Sequence, residues 1–341
     1  MGVNLRDIVK PVKIPLEHLA GRTLAVDAYN ALYQFLAIIR GGRGEYLMDR
    51  EGRVTSHLSG LFYRNINLLE LGIKPIYILD GKPPSLKTIE IERRRAAKQE
   101  AVKLYSKALA RGDLAEARKY AQATSYIKDY MVEDTKRMLD LLGIPWIEAP
   151  SEGEATAAYL TKIGVATDAA SQDFDALLFG AMRLLRNITI SGRRKLPGRS
   201  VYIDVEPEEI ELKKLLEQLG VTREQLVDIG ILVGTDFNPD GFKRIGPATA
   251  LKYVKKYGRL ENIESIKEEL EKIDYQAIRE IFLHPEVTES KKKVGWSPPD
   301  RDKVIAFLCG ERAFSEDRVN RALERLEKVE QERSESLEKW F

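Results

Sequence analysis

The chain has a single cysteine, Cys309, and only three histidines, His18, His57 and His284, which lie far apart in the sequence. One cysteine excludes an intramolecular disulfide framework and a cysteine-ligated zinc site, and the spacing of the histidines argues against a histidine-held zinc ion. No apolar run reaches membrane-spanning length, and the N-terminus lacks the apolar core of a secretory signal. The sequence therefore predicts a soluble, intracellular protein.

An excess of charge of one sign is also lacking. The 55 lysines and arginines nearly balance 53 aspartates and glutamates, which leaves a net charge of +2 over 341 residues. A surface for a polyanion must therefore come from local clustering of basic residues. Hydrophobic residues make up 43% of the chain, which is enough for a core, and charged residues make up 32%. The length fits one elaborated α/β domain with an attached lobe.

Two pairs of acidic residues flank a predicted helix and strand. Glu152 and Glu154 lie at the start of the helix, and Asp173 and Asp175 follow the strand. Carboxylates that are brought together either bind protons or gather cations, and oxygen ligands in such number suit Mg²⁺ or Mn²⁺. Each pair alone fits a helix cap equally well, because Ser151-x-x-Glu154 is a capping box and either aspartate could cap the next helix.

Three further aspartates have similar positions. Short apolar strands over Thr23–Val26 and Pro75–Leu79 end at Asp27 and Asp80, and Asp236 follows a helix. Strands separated by helices predict a parallel sheet, whose carboxyl ends converge on one edge. Seven carboxylates there are too many for one metal ion and suit two, which can activate water and stabilise the leaving oxygen of a phosphodiester. Asp27 does not begin an Asp-x-Asp motif, which argues against an aspartyl-phosphate route.

A basic helical insert, Leu86–Tyr130, follows Asp80 directly. Charged helices are usually solvated, but loops at the carboxyl ends of strands line α/β active sites, which favours an arm that guides a polyanion. The basic residues of its two predicted helices are Arg93, Arg94, Arg95, Lys98, Lys103, Lys107, Arg111, Arg118 and Lys119.

A second candidate element for nucleic acid follows the helix predicted over Thr222–Val233. Gly246 and Pro247 predict the start of another helix, whose free N–H groups form an anion site. Lys243 and Arg244 lie just before it. The pattern of helix, glycine-containing hairpin and helix predicts a grip on a DNA phosphate without sequence preference, with an ordinary helix turn as the alternative.

Between these elements, Leu184–Ile190 and Ser200–Val205 are predicted to form a strand pair. Gly192–Lys195 is interpreted as a basic turn that connects the two strands. From Leu260 onward the pattern predicts mostly charged helix.

Nine short motifs occur in a fixed order along nearly the whole chain: Met1-Gly2-Val3, Val26-Asp27-Ala28, Thr55-Ser56-His57-Leu58, Asp80-Gly81-Lys82-Pro83-Pro84, Glu152-Gly153-Glu154-Ala155, Ser171-Gln172-Asp173-Phe174-Asp175, Gly234-Thr235-Asp236, Arg244-Ile245-Gly246-Pro247 and Cys309-Gly310-Glu311-Arg312-Ala313-Phe314-Ser315. In this order they resemble the flap endonucleases of the archaeal and eukaryotic structure-specific nuclease family, as an archaeal-type member. The resemblance implies an α/β fold: a PIN-like 5′ nuclease core with a mainly parallel twisted sheet flanked by helices, a helical arch insert and a helix-hairpin-helix DNA-binding element.

The expected organisation has six parts. The nuclease core lies in two pieces, residues 1–85 and 131–220, separated by the arch, 86–130. The helix-hairpin-helix element, 221–258, a C-terminal helical part, 259–325, and a flexible tail, 326–341, follow.

The activity that the resemblance implies is cleavage of the phosphodiester at the base of a 5′ flap, one nucleotide into the duplex, with 5′-3′ exonuclease activity besides. The family uses two Mg²⁺ ions, which Mn²⁺ can replace, and acts in Okazaki-fragment maturation and base excision repair. A Holliday-junction or bubble nuclease of the same superfamily is one alternative, and a non-catalytic DNA-binding scaffold is another. The continuous arch favours flaps, and seven carboxylates would repel the phosphates of DNA bound by a pure scaffold.

The resemblance also assigns roles to single residues. Lys87 and Arg94 match the catalytic cations at the foot of the arch, which neutralise charge on the scissile phosphate. Tyr33 matches the aromatic on which a base stacks. Gly2 matches the residue whose amino end, freed of Met1, lies near the metals. The implied metal ligands are Asp27, Asp80, Glu152, Glu154, Asp173, Asp175 and Asp236. The alternatives are a loop cation for Lys87, a solvated helix charge for Arg94 and a core tyrosine for Tyr33.

The implied contacts with duplex DNA lie in two places. Lys243, Arg244 and Gly246 belong to the hairpin, which in the family also holds a K⁺ ion. Arg312 and Phe314 fall where the family holds a one-nucleotide 3′ flap.

The tail Ser334-x-x-Leu337-x-x-Trp340-Phe341 resembles the motif that binds a sliding clamp. Ser334 replaces the usual glutamine, whereas Leu337, Trp340 and Phe341 retain the apolar plug. A tail that packs as a helix is the alternative. The implied partners are branched DNA with a 5′ flap and the clamp, for a monomer that acts in the cytoplasm at the nucleoid and not at a membrane.

Overall fold

The computed structural model describes residues 2–42, 44–121, 124–190, 192–195, 202–288 and 294–338. The strands are β1 (Val12–Lys13), β2 (Thr23–Asp27), β3 (Lys74–Leu79), β4 (Trp146–Glu148), β5 (Asp168–Ala170), β6 (Arg183–Arg186), β7 (Gly192–Lys195), β8 (Tyr202–Val205) and β9 (Glu208–Glu211). The helices are α1 (Ala28–Ile38), α2 (Ser56–Glu70), α3 (Thr88–Ala110), α4 (Leu114–Ala121), α5 (Asp129–Leu141), α6 (Gly153–Lys162), α7 (Asp175–Leu178), α8 (Leu212–Leu219), α9 (Arg223–Val233), α10 (Pro247–Tyr257), α11 (Lys267–Leu270), α12 (Tyr275–Leu283), α13 (Arg301–Ile305) and α14 (Glu316–Glu338).

A seven-stranded sheet in the order β1-β9-β6-β5-β2-β3-β4 forms the centre of the fold. The five strands from β6 to β4 in this order run parallel, and β9 and β1 add an antiparallel edge. Helices connect the parallel strands, as right-handed crossovers require. The predicted α/β fold class, a mainly parallel sheet flanked by helices, is therefore confirmed.

The sheet is covered on both faces, which explains why its central strands β2 and β3 are mostly apolar. Successive side chains of a strand point to opposite faces. In β3, Ile76 and Ile78 belong to the core that contains α6, α7 and α9. Tyr77 and Leu79 belong to the core that contains α1, α2 and α5. The two layers together hold the carboxyl ends of the central strands in fixed register.

The prediction for the segment after Leu184 was wrong. β6 pairs with β5 and β9, whereas Gly192–Lys195 is a strand that pairs with β8 in a separate two-stranded sheet. A single glycine does not define a tight turn, and the strand propensity of charged residues depends on the partner strand. The Glu-Glu-Ile-Glu sequence of β9 has one apolar residue, which is too little to reveal a strand in advance.

The two elements expected to contact nucleic acid are both helical. After β3 the chain forms a 3₁₀ turn, Ser85–Lys87, and then α3 and α4. Small buried residues, Ala101 and Ala108 on α3 and Ala117 on α4, allow these helices to approach closely. α10 begins at Pro247 with Gly246 as its N-cap, as the glycine-proline pair predicts. None of the described helices is both long and apolar enough to span a membrane.

A close contact between α1 and α2 generates a test of this packing. An added Cβ on Gly60 would lie 2.2 Å from Cγ of Phe35. Alanine is normally the better helix former by about 1 kcal/mol, but overpacking a core costs about 1–3 kcal/mol. The net expectation is that Gly60→Ala lowers the free energy of unfolding by up to about 2 kcal/mol, measured by chemical denaturation.

Gly310 provides the matched control, because an added Cβ there has no heavy atom within 4 Å. Gly310→Ala should leave the free energy of unfolding unchanged or slightly higher. A stabilised Gly60→Ala protein would contradict the close packing of the two helices.

Candidate functional site

Acidic side chains gather at the carboxyl ends of three adjacent strands. Strand β2, which lies between β3 and β5, ends with Asp27. Asp80 follows the last residue of β3 directly, and Asp173 and Asp175 follow β5. The sheet order thus brings together acidic residues that are more than a hundred positions apart in the sequence.

Backbone N–H groups hold the first two of these carboxylates. The Asp27 side chain is the N-cap of α1 and accepts a hydrogen bond of 2.9 Å from the N–H of Asn30. The Asp80 side chain accepts one of 2.7 Å from the N–H of Gly153. An added Cβ on Gly153 would lie 2.6 Å from Oδ1 of Asp80, so a larger residue here would displace the Asp80 carboxylate.

The start of α6 differs from the predicted capping box. The helix begins at Gly153 with Glu152 as its N-cap, without a side-chain capping bond, so the capping role of Ser151 was wrong. Glu154 instead lies near Asp27, Asp173 and Asp175, and its Oε1 is buried without a hydrogen-bond partner among the described residues. The acidic cluster is our name for Asp27, Asp80, Glu152, Glu154, Asp173, Asp175 and Asp236. Glu152 accepts a hydrogen bond of 2.6 Å from Nζ of Lys87. Both glutamates are therefore turned toward the site.

The N-terminal segment packs directly on the site. The N–H of Val3 donates a hydrogen bond of 2.7 Å to Oδ1 of Asp175. An added Cβ on Gly2 would lie 2.4 Å from the other carboxylate oxygen. Val3 and Leu5 are buried in the core, which anchors the segment. The position of Gly2 beside the acidic cluster agrees with the match made from the sequence.

Two cations of the inserted segment lie among the carboxylates. Nζ of Lys87 is 2.6 Å from Oε2 of Glu152 and 3.3 Å from Oδ2 of Asp236. Arg94, on α3, pairs with the other oxygen of Asp236 and, at 2.7 Å, with Glu90. The structure therefore brings both predicted cations to the acidic cluster.

Burial and the closeness of other carboxylates raise the pKa values of several acids in the cluster. Burial, reinforced by Glu152, raises the pKa of Asp80 to about 6. Burial, reinforced by Asp236, raises that of Asp175 to about 7. The pKa values of Asp27 and Glu154 also lie well above the usual values, first because of burial and then because of neighbouring carboxylates. Groups in this situation bind protons or cations.

The donor set fits divalent magnesium or manganese, because it consists of carboxylate oxygens alone. The partnerless Oε1 of Glu154 is an atom that a cation would satisfy. Among the described residues, no three acidic, histidine or cysteine side chains are close enough together to hold a metal ion in this conformation. In the same conformation Lys87 and Arg94 lie among the carboxylates and balance part of their negative charge.

Four of the residues expected to contact DNA, Tyr33, Lys243, Arg244 and Gly246, are at least partly exposed. Lys98 of α3 lies over the ring of Tyr33, with Nζ 4.3 Å from the ring centroid and 3.2 Å from the hydroxyl oxygen. Lys243, Arg244 and Gly246 are exposed at the start of α10. Arg244 has a positive φ of 63°, a conformation that turns the chain into the helix.

Arg312 and Phe314 are placed differently from the hairpin residues. Arg312 is buried, and its Nη2 and Nε atoms donate to the two carboxylate oxygens of Asp134 at 2.6 and 3.0 Å. Phe314 is partly buried against the core. The charge of Arg312 is thus already balanced by Asp134.

Two residues of the clamp-like tail, Trp340 and Phe341, lie outside the described residues. Leu337 belongs to the described backbone of α14, but its side chain is outside that description. The predicted role of the tail remains a prediction.

Sequence reasoning missed the polar residues that hold the acids in place. Asn30 contacts Asp27 through its backbone and Asp173 through its side chain. The hydroxyl of Ser171 donates a bond of 3.4 Å to Asp27. Only their positions in the sequence could have indicated them, because Asn30 lies three residues after Asp27 and Ser171 lies two residues before Asp173.

Comparisons with known proteins place the chain among nucleases. Residues 1–101 match the XPG N-terminal domain, and residues 143–236 match the XPG I-region. The chain is 57% identical to flap endonuclease 1 of Nitrosopumilus maritimus, over 100% of both chains. It is similar to the solved structure of flap endonuclease-1 from Methanococcus jannaschii, with 40% identity, a TM-score of 0.76 and coverage of 96% and 98% of the two chains. The catalytic core of Rad2 in complex with a DNA substrate shares the fold, with 23% identity, a TM-score of 0.69 and coverage of 94% and 97%.

The raised pKa values predict how stability depends on pH when divalent ions are removed. Asp80 and Asp175 bind protons more tightly in the folded protein than in the unfolded chain, where their pKa is 3.8. The resulting stability is complete below that value and is lost as the pH rises through about 6 and about 7. We expect the melting temperature in EDTA to fall between about pH 5 and about pH 8, and excess Mg²⁺ to reverse much of this fall.

Asp228, whose burial raises its pKa to about 6, contributes a fall in the same direction but belongs to a different ion pair. The difference between the EDTA and Mg²⁺ curves therefore isolates the acidic cluster. Asp175→Asn should flatten the EDTA curve. A wild-type melting temperature in EDTA that rises over this range would contradict the assignment.

Proposed function

The chain belongs to the flap endonuclease family, and we propose that it cuts DNA at the base of a 5′ flap, one nucleotide into the duplex. It is a nuclease, a hydrolase of phosphodiester bonds, and its family is metal-dependent. The observation that carries the proposal is the acidic cluster at one edge of the sheet, with two cations of the inserted segment, Lys87 and Arg94, among its carboxylates. Removal of nucleotides from 5′ ends is the proposed second activity.

The proposed cofactors are two Mg²⁺ ions, for which Mn²⁺ can substitute. When bound, such a pair supplies an activated water and stabilises the leaving oxygen of the phosphodiester. The chain contributes carboxylates whose pKa values are raised first by burial and then by mutual repulsion, and bound cations relieve both effects. The residues proposed to hold the ions, directly or through water, are Asp27, Asp80, Glu152, Glu154, Asp173, Asp175 and Asp236.

Lys87 and Arg94 are proposed to contact the scissile phosphate and to stabilise charge that develops there. Without DNA they pair with Glu152 and Asp236. A phosphate oxygen offers the same kind of hydrogen bond as the carboxylate that it replaces. The two cations can therefore pass from protein carboxylates to substrate without losing a partner.

The proposed path of the DNA uses the surrounding elements. The helical arch, α3 and α4, admits a single strand with a free 5′ end. Tyr33 then stacks with a base near the cut, in the position that Lys98 covers here. Lys243, Arg244 and Gly246, with a K⁺ ion, grip the duplex through its backbone. Arg312 and Phe314 remain the proposed contacts of a one-nucleotide 3′ flap, with Arg312 oriented by Asp134.

In the cell, the proposed work is Okazaki-fragment maturation and base excision repair, by a monomer in the cytoplasm at the nucleoid.

Product mapping on a double-flap substrate tests the proposed function. The substrate carries a long 5′ flap and a one-nucleotide 3′ flap, with labels on both sides of the junction. We expect one dominant cut, one nucleotide into the duplex, in Mg²⁺ and in Mn²⁺ but not in EDTA. Dominant cutting of a Holliday junction or a bubble offered at equal concentration would contradict the flap assignment.

Two variants serve as controls in the same assay. Asp175→Ala should abolish cleavage, because a buried member of the acidic cluster is lost, and should retain flap binding. Arg94→Ala should slow single-turnover cleavage far more than it weakens binding, since its proposed contact strengthens in the transition state. Equal losses in rate and binding would reduce Arg94 to a phosphate contact.

The sliding clamp is the proposed protein partner, through Leu337, Trp340 and Phe341. Support comes from the apolar residues of the tail sequence alone. Deletion of residues 337–341 should leave cleavage of naked DNA intact and remove its stimulation by the clamp, measured as the ratio of rates with and without clamp. Unchanged stimulation would show that the clamp binds elsewhere.

A further inference from the structure

Asn30 links two of the acidic residues that come from different strands. It lies in the first turn of α1, where its backbone N–H donates to Oδ1 of Asp27 at 2.9 Å. Its side-chain Nδ2 donates to Oδ2 of Asp173 at 3.3 Å. Asp27 ends β2, and Asp173 follows the neighbouring strand β5. One residue thus contacts carboxylates on both sides of a strand pair.

The neighbours of the Asn30 amide fix which way it points. Its Oδ1 accepts hydrogen bonds from the backbone N–H of Gln172, at 3.3 Å, and from Nε2 of Gln34. Two donors on the oxygen oblige the NH₂ group to face Asp173. The Oε1 atom of Gln34 in turn accepts a hydrogen bond from the hydroxyl of Thr189. A directed chain of neutral donors therefore runs from Thr189 through Gln34 and Asn30 to Asp173.

A neutral donor suits a carboxylate that must also bind a cation. A lysine or arginine in this position would cancel the charge of Asp173 and compete with the ion. The amide holds one oxygen of Asp173 and leaves the net charge of the group unchanged. Hydrogen bonds of this kind orient metal ligands and tune their affinity for the ion.

We propose that Asn30 is a positioning residue, which holds the Asp173 carboxylate in register with Asp27 for the binding of divalent ions. The inference rests on the proposed function, since it assumes that the acidic cluster binds metal. Loss of such a contact typically costs about 10- to 100-fold in metal affinity. Asn30 itself does not touch the ions or the DNA in this role.

Binding of Mn²⁺ to the DNA-free protein, followed by electron paramagnetic resonance, tests the proposal without reference to cleavage. Asn30→Ala should weaken at least one bound Mn²⁺ by about 10- to 100-fold. It should leave flap affinity unchanged in Ca²⁺, and higher Mn²⁺ should restore its single-turnover rate. Asn67→Ala on α2 is the matched control, because it removes the same group at an exposed position where Asn67 pairs with Arg325.

Gln34→Ala provides a second variant, since it removes one of the donors that orient the Asn30 amide without touching either aspartate. It should weaken Mn²⁺ in the same direction but less, which keeps the proposal testable if Asn30→Ala fails to fold. Melting temperatures in EDTA identify a purely structural effect. The proposal is overturned if Asn30→Ala folds and binds Mn²⁺ within twofold of the wild-type affinity. If Asn30→Ala does not fold, an unchanged Mn²⁺ affinity of Gln34→Ala overturns it. A wild-type protein that binds no Mn²⁺ would overturn the proposed function instead.

Discussion

Mutual repulsion among buried carboxylates is the constraint on which the rest of this structure depends. Burial and neighbouring acids raise the pKa of Asp80 to about 6 and that of Asp175 to about 7. Burial also opposes the charged form of Lys87, but Glu152 and Asp236 outweigh that effect and raise its pKa. A site of this kind is stable only if protons or cations compensate its charge. The parallel sheet, the inserted helices and the N-terminal segment can each be understood as a response to that requirement.

The sheet fixes the positions of the acidic residues and does not balance their charge. Strands β2, β3 and β5 are adjacent and buried on both faces, so their ends cannot shift relative to one another without disturbing two cores. At those ends the chain offers backbone N–H groups to the acids, from Asn30 to Asp27 and from Gly153 to Asp80. Such bonds favour the ionised carboxylate and partly offset the effect of burial on the pKa. The acids thus remain ionisable in an environment that would otherwise keep them protonated.

The sequence allowed the acidic cluster to be predicted because most of its members lie at the end of a strand or in the first turn of the helix that follows it. Asp27 and Asp80 follow apolar runs that are unambiguous. The strand β9 could not be predicted, since Glu208–Glu211 becomes a strand only through its pairing with β6 and β1. Nor could Asn30, because an asparagine in the first turn of a helix is ordinary until the fold brings Asp173 beside it. Contacts between distant parts of the chain decide such cases, and local patterns do not contain them.

The groups that donate hydrogen bonds to the acids divide by charge and by origin. Those from outside the inserted segment are neutral: the N–H groups of Val3 and Gly153, and the amide of Asn30. Those that carry positive charge, Lys87 and Arg94, come from the segment inserted after β3. Under the proposed function, a metal ion that enters the cluster would compete with the second set and leave the first in place. Charge would then be exchanged between protein, metal and DNA while the geometry of the carboxylates is retained. This division explains how the carboxylates can keep their positions when the positive groups that balance their charge are replaced by others.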